Sequence, residues 1–108
     1  LVAGIRAMPA PGHTPGHTVY VVESQGQKMV IWGDLMHVAA LQFPQPSATI
    51  QTDWNIELSA RQRQTIFADA ARNGYYAAAA HVAFPGIGKL RVEGDGYAWV
   101  PVSYILGK

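Results

Sequence analysis

Apolar and polar positions along this chain change period in a way that separates strands from a single helix. Residues 1–8 alternate loosely, and the pattern stops at Met8-Pro9-Ala10-Pro11-Gly12, where two prolines and a glycine oppose ladder pairing. His13-Thr14-Pro15-Gly16 reads as a turn. Thr18-Val19-Tyr20-Val21-Val22-Glu23 is rich in β-branched and aromatic residues, and Ser24-Gln25-Gly26-Gln27 separates it from Lys28-Met29-Val30-Ile31-Trp32. The two runs predict an antiparallel hairpin ending at Gly33-Asp34, which puts an acid at a strand tip. Tyr75 to Ala80 is apolar throughout and too short for a helix between its breakers. It predicts a strand buried on both faces that delivers His81 at its end. Leu90-Arg91-Val92-Glu93 and Tyr97-Ala98-Trp99-Val100 alternate around Gly94-Asp95-Gly96, a second hairpin.

The helical period appears once. Ser59 with Gln62 has the form of a capping box, and Ile66, Phe67 and Ala70 share a stripe, with Arg61, Arg63, Gln64 and Arg72 mostly elsewhere. Asn73-Gly74 supplies the left-handed cap, so the helix is predicted over 59–73. Residues 35–47 contain Phe43-Pro44-Gln45-Pro46-Ser47 and read as an irregular connection whose prolines exclude helix and central strand. Ala48-Thr49-Ile50-Gln51 follows as a short extended piece. Strands, one helix, then strands make this α+β material.

Composition narrows the possible functions. A net charge of +1 without a basic cluster gives no electrostatic footprint for nucleic acid or an anionic membrane, and no apolar run approaches the roughly 20 residues of a membrane helix. The absence of cysteine removes disulfides, Cys-ligated zinc, iron–sulfur clusters and thiol nucleophiles, and leaves the compartment undetermined. Charged residues make up only 14% of the 108, against roughly 25% in an ordinary soluble domain. So little charge predicts that part of the surface is meant to be covered, and a start at Leu1 inside an extended pattern predicts that the chain is a fragment.

Three candidate chemical groups follow extended runs: His13, Asp34 and His81. Imidazole and carboxylate groups on loops at one sheet edge suit a divalent metal such as Zn²⁺ or Mn²⁺. Their separations are too long for a local His-x-x-x-His motif, and spacing alone fits surface and turn positions equally well. The glycine pairs Gly86/Gly88 and Gly94/Gly96 precede no helix and read as turns, not phosphate loops. Ser47, Ser59 and Ser103 lack a nucleophile-elbow context. Glu57 and Asp69 read as solvated charges flanking the helix, and Trp32, Trp54 and Trp99 as core or interface anchors.

Pro11-Gly12-His13-Thr14-Pro15-Gly16-His17-Thr18, then Trp32-Gly33-Asp34, then Ala80-His81 resemble, in this order, the metallo-β-lactamase superfamily. Gly33-Asp34-Leu35-Met36-His37, Gln42-Phe43-Pro44 and His81-Val82-Ala83-Phe84-Pro85-Gly86-Ile87-Gly88 resemble the branch containing methyl parathion hydrolase and related lactonases. The resemblance covers nearly the whole chain and implies one partial domain over 1–108, the C-terminal half of a four-layer αβ/βα sandwich. It further implies that His13 completes the histidine set of one metal, that Asp34 bridges two metals as the catalytic carboxylate, and that His81 serves the second. His17 is implied as a supporting or packing residue, and His37 and Phe84 as neighbours of a small-molecule substrate pocket. The implied cofactors are two divalent ions, zinc or else manganese, whose bound hydroxide attacks an ester, lactone or organophosphate. The family's His-x-His-x-Asp-His motif is absent, the histidines being His13, His17, His37 and His81. The expectation is therefore a fragment inactive by itself, pairing with the missing N-terminal half or self-associating. The competing reading is a non-catalytic half-domain that acts as an oligomeric or partner-binding module.

Overall fold

Period-two alternation in the strands generates a sheet with one well-covered face. A computed structural model describes residues 3–103; Leu1 and Val2, which the sequence reading includes in the first strand, lie outside the described residues. The elements are β1 (Ile5–Pro9), β2 (Thr18–Ser24), β3 (Gln27–Gly33), α1 (Ala39–Gln42), α2 (Ile56–Asn73), β4 (Tyr76–Ala79), β5 (Ile87–Glu93) and β6 (Gly96–Pro101). Among the described residues the strands form one six-stranded sheet in the order β1-β2-β3-β4-β5-β6. Every neighbouring pair is antiparallel except β3 and β4, which are parallel and joined by the segment containing both helices. Both expected hairpins are present, with registers running from Tyr20↔Ile31 to Ser24↔Gln27 and from Gly88↔Pro101 to Glu93↔Gly96. Pro9 does pair, with Thr18, which is tolerable because β1 is an edge strand.

Inward-facing Val19, Val21, Val30, Trp32, Ala77 and Leu90 meet Ile66, Phe67 and Ala70 of α2 in one core. Its centre is aromatic: Trp32 lies 5.1 Å from Phe67 and 6.0 Å from Trp99, and Phe43 stacks on Trp99 at 5.4 Å between ring centroids. Such offset pairs add to what area burial alone contributes. The opposite sheet face carries Tyr20, Ile31, Ala78 and Ile87 in one row across four strands. Tyr20 and Ile31 are about 40% exposed, so this face is apolar and open. The strand at Tyr76–Ala79 is accordingly buried on one face only: Ala77 and Ala79 are buried, while Tyr76 and Ala78 are half-covered. Its apolar run reflects a second face that the described residues leave uncovered. Of the tryptophans read as core or interface anchors, Trp32 is fully buried in the core, whereas Trp54 is 60% exposed and lies outside it.

The helix begins earlier than its capping box suggests. Asn55, with extended backbone angles, is the N-cap, and its side chain accepts a 3.0 Å hydrogen bond from the Leu58 amide. Ser59 is already inside the first turns and buried. Gly74 closes the helix in the left-handed conformation, φ 67°, and donates to the Ala70 carbonyl. Arg63 lies on the buried stripe itself, with Ser59, Ile66, Phe67 and Ala70, not on the outer face. The connection before α2 holds one turn of helix, α1, which ends before Pro44 and Pro46 can oppose it. Residues 48–51 form no strand; the Ala48 carbonyl instead accepts from Gln42 Nε2 and Arg63 Nη1, both at 3.0 Å.

Replacing Phe67 by Ala empties the centre of the aromatic cluster and is expected to cost about 3–5 kcal/mol. Val92→Thr on the exposed sheet is expected to stay within about 0.5 kcal/mol. Urea unfolding followed by tryptophan fluorescence separates the two.

Candidate metal centre

Topology decides where the polar groups meet. Because β1 and β3 each run antiparallel to β2, and β4 runs parallel to β3, the C-terminal ends of β1, β3 and β4 share one sheet edge. The segments leaving those ends carry His13, Asp34 with His37, and His81. All four side chains converge there.

Asp34 is the focus. Its Oδ1 lies 2.8 Å from His81 Nε2, its Oδ2 lies 3.4 Å from His13 Nε2, and His37 Nε2 is 3.8 Å from Oδ1. His81 is thus the nearest histidine at Oδ1 and His13 the nearest at Oδ2. The His37 ring lies between the other two, with centroids 4.7 Å from His13 and 4.4 Å from His81. The hydrogen bond from His81, opposed in part by burial and reinforced by the neighbouring imidazoles, holds the Asp34 carboxyl below the usual carboxylate range. Burial, then the proximity of His81 and His13, lowers His37 from the ordinary histidine value.

His17 stands behind this cluster. The Ala10 carbonyl can only accept, so His17 Nδ1 donates to it at 3.0 Å, and Nε2 accepts from the Asp34 amide, also at 3.0 Å. The histidine therefore ties the first loop to the backbone that presents Asp34. Gly33 makes this approach possible: its φ is 57°, and a Cβ there would sit 3.1 Å from His17 Nε2. Thr18 Oγ1 donates to the Gly16 carbonyl and closes the turn, while the Thr14 carbonyl accepts from the amides of Gly12 and His17. The His13 loop is docked against α2 by two backbone bonds, Asn55 N–H to Gly12 O at 2.8 Å and Trp54 N–H to His13 O at 2.9 Å.

Three polar residues to which the sequence reading gives no part in the cluster support it: Asp53 is not singled out there, Arg63 is placed off the apolar stripe of the helix, and Gln42 is named only in the resemblance. Asp53 is buried and accepts from His13 Nδ1 at 2.8 Å. Arg63 is fully buried and donates to the carbonyls of Leu35, Pro46 and Ala48 and to Ser59 Oγ. Gln42 is buried too; its Oε1 accepts from the amides of His37 and Val38 and so shapes the turn bearing His37. An arginine four residues after Ser59 and three before Ile66 is a legible signal, since a cation on an apolar stripe demands buried acceptors. Phe84 lies on the loop that follows His81, with 81% of its surface exposed.

The ligand atoms of Asp34, His37 and His81 lie within 4.8 Å of one another, as do those of His13, His37 and Asp53. His37 Nδ1 is buried without a hydrogen-bond partner. Imidazole nitrogens clustered around a carboxylate, one of them unsatisfied, are a donor set that fits a borderline cation such as zinc.

Two expectations follow. A Cβ on Gly12 would lie 2.5 Å from Ser59 Cα, a clash with helix backbone, so Gly12→Ala should destabilise by about 1–3 kcal/mol, read from the urea midpoint. The folded chain disfavours protonated His37, so the associated stability is present above the ordinary value of about 6.5 and lost as pH falls through the lowered folded value. Urea midpoints of the metal-free chain should therefore decline as pH falls below about 6.5, and His37→Gln should flatten that decline.

No protein-family model matches the sequence, and no curated protein does. Solved structures do. AidC, a dizinc quorum-quenching lactonase in complex with the product N-hexanoyl-L-homoserine, matches at TM-score 0.92 and 30% identity over 97% of this chain. The hydrolase AbOPH of the β-lactamase superfamily matches at TM-score 0.89 and 34% identity over 95%. A probable metal-dependent hydrolase from Staphylococcus aureus shares the fold at TM-score 0.75 and 24% identity over 97% of the chain. The chain spans only 36% of the length of AidC and of AbOPH. The near-complete superposition of its mixed sheet on these hydrolases, with the expected motif order along the strand ends, assigns the chain to the metallo-β-lactamase superfamily.

Proposed function

We propose that this chain is the C-terminal part of a dinuclear metal-dependent hydrolase that opens an ester, lactone or organophosphate substrate. The observation that carries the reading is the placement of an imidazole Nε2 at each oxygen of Asp34, His81 at 2.8 Å and His13 at 3.4 Å. A carboxylate flanked on both oxygens is the arrangement a metal-bridging ligand requires. The 30% and 34% identities to a dizinc lactonase and a β-lactamase-superfamily hydrolase support it.

In this reading His13 and Asp34 would hold one divalent ion, zinc or else manganese, and Asp34 and His81 would hold the second. When bound, such ions supply an activated water at neutral pH and polarise the oxygen under attack. The chain's own residues do the rest. Asp34 stays ionised and available to cations because the adjacent imidazoles favour its charged form. His17 fixes the Asp34 backbone, and Gln42 fixes the turn that aims His37 between the two flanking histidines. His37 and Phe84 flank the space for a small-molecule substrate. The remaining metal ligands come from an N-terminal half bearing His-x-His-x-Asp-His, whose layer covers the open row of Tyr20, Ile31, Ala78 and Ile87.

The test uses the protein expressed from its complete reading frame. We expect about two zinc ions per chain by elemental analysis and hydrolysis of at least one of an acyl homoserine lactone, an aryl ester and an aryl organophosphate. Asp34→Asn is expected to lower kcat/KM at least about 100-fold and to reduce metal content at both positions together. A protein that binds neither zinc nor manganese and hydrolyses none of the three substrates would falsify the proposal.

A further inference from the structure

Asp53 lies in no part of the resemblance on which the metal site was read, yet it makes the shortest side-chain contact of His13. Its side chain is wholly buried, an environment that penalises a carboxylate unless it is paired. Two partners are within reach. His13 Nδ1 approaches Oδ1 at 2.8 Å, whereas Arg63 Nη2 is 3.9 Å from Oδ2, beyond hydrogen-bond distance. The guanidinium commits its hydrogen bonds elsewhere, to the carbonyls of Leu35, Pro46 and Ala48 and to Ser59 Oγ. The carboxylate is therefore engaged with the imidazole, and the arginine balances its charge from a second layer.

We propose that Asp53 is the positioning residue of His13, fixing its tautomer and ring orientation so that Nε2 faces the Asp34 carboxylate. An ionised carboxylate only accepts, so the proton of neutral His13 sits on Nδ1 and the lone pair sits on Nε2, the nitrogen 3.4 Å from Asp34 Oδ2. The backbone amides of Trp54 and Asn55, the two residues after Asp53, clamp His13 and Gly12 through their carbonyls. Main chain and side chain of one short segment thus hold the same histidine. Arg63 extends the device across the site, because the Leu35 carbonyl it binds belongs to the residue after Asp34. His13 and Asp34, distant in sequence, are referred to one buried cation.

The inference rests on the proposed metal-site reading only for its effect on zinc; the tautomer of His13 is a property of the metal-free protein. The experiment uses the protein from its complete reading frame, with long-range ¹H–¹⁵N spectra of the histidine rings and zinc titration against a chromogenic chelator. We expect His13 to be the Nδ1–H tautomer in the metal-free protein, and Asp53→Asn to weaken zinc binding 10- to 100-fold, with Asp53→Glu recovering part of the loss. A merely structural carboxylate would lower the unfolding midpoint without changing the tautomer of His13. An Nε2–H tautomer in the unsubstituted protein overturns the proposal whether or not the variants fold. Zinc affinity in folded Asp53→Asn within twofold of the unsubstituted protein also overturns it. Absence of zinc binding by the unsubstituted protein would sink the metal-site reading alone, since the ring spectra of the metal-free protein still decide the role of Asp53.

Discussion

A guanidinium with no access to water sets the terms for the rest of this structure. Arg63 stands among Ile66, Phe67 and Ala70 on the inner face of α2, where an uncompensated charge would cost several kcal/mol. The compensation comes from backbone carbonyls of the irregular connection, at Leu35, Pro46 and Ala48. That explains how a proline-rich stretch with a single helical turn is held in one shape. Its acceptors point inward because a cation is there, and Gln42 adds further hydrogen bonds to the same stretch. Helix, connection and Asp53 are thereby joined through one side chain, and the sheet edge with its histidines is built on that joint.

The edge owes its chemistry to strand direction. A meander alone would send successive loops to alternate ends of the sheet. The parallel pairing of β3 with β4 breaks that alternation and brings the segment after β4 to the same end as those after β1 and β3. The hydrogen bonds that Asp53 accepts from His13 Nδ1 and that His17 makes with the Ala10 carbonyl and the Asp34 amide then convert proximity into orientation, since none of them uses a nitrogen that faces the Asp34 carboxylate.

Much of this was legible in the chain. Alternation located both hairpins, and the apolar run from Tyr75 located β4, because local side-chain periodicity and turn residues decide those elements. His13, Asp34 and His81 were legible through their neighbouring words, and the structure brings both histidines to the Asp34 carboxylate. Other features were decided by tertiary context. Asn55 outcompeted Ser59 as the cap, and Ser59 instead serves as an acceptor for Arg63. Arg63 looked solvent-facing because charge ordinarily is, and Asp53 was silent because its meaning depends on a histidine far away in sequence. The strand expected to be covered on both sides has one open face, since the second cover is not supplied by residues 3–103.

The crossover between β3 and β4 has a kinetic side. The pairing of Gly33 with Ala79 closes a long loop that contains both helices, and the entropy of that closure is spent before the contacts return it. His81 reaches Asp34 only after this step, so a nascent chain that has made the first hairpin but not β4 has His13 and Asp34 without their third partner. Any cation that prefers the finished cluster would bind the native state alone and stabilise it by mass action.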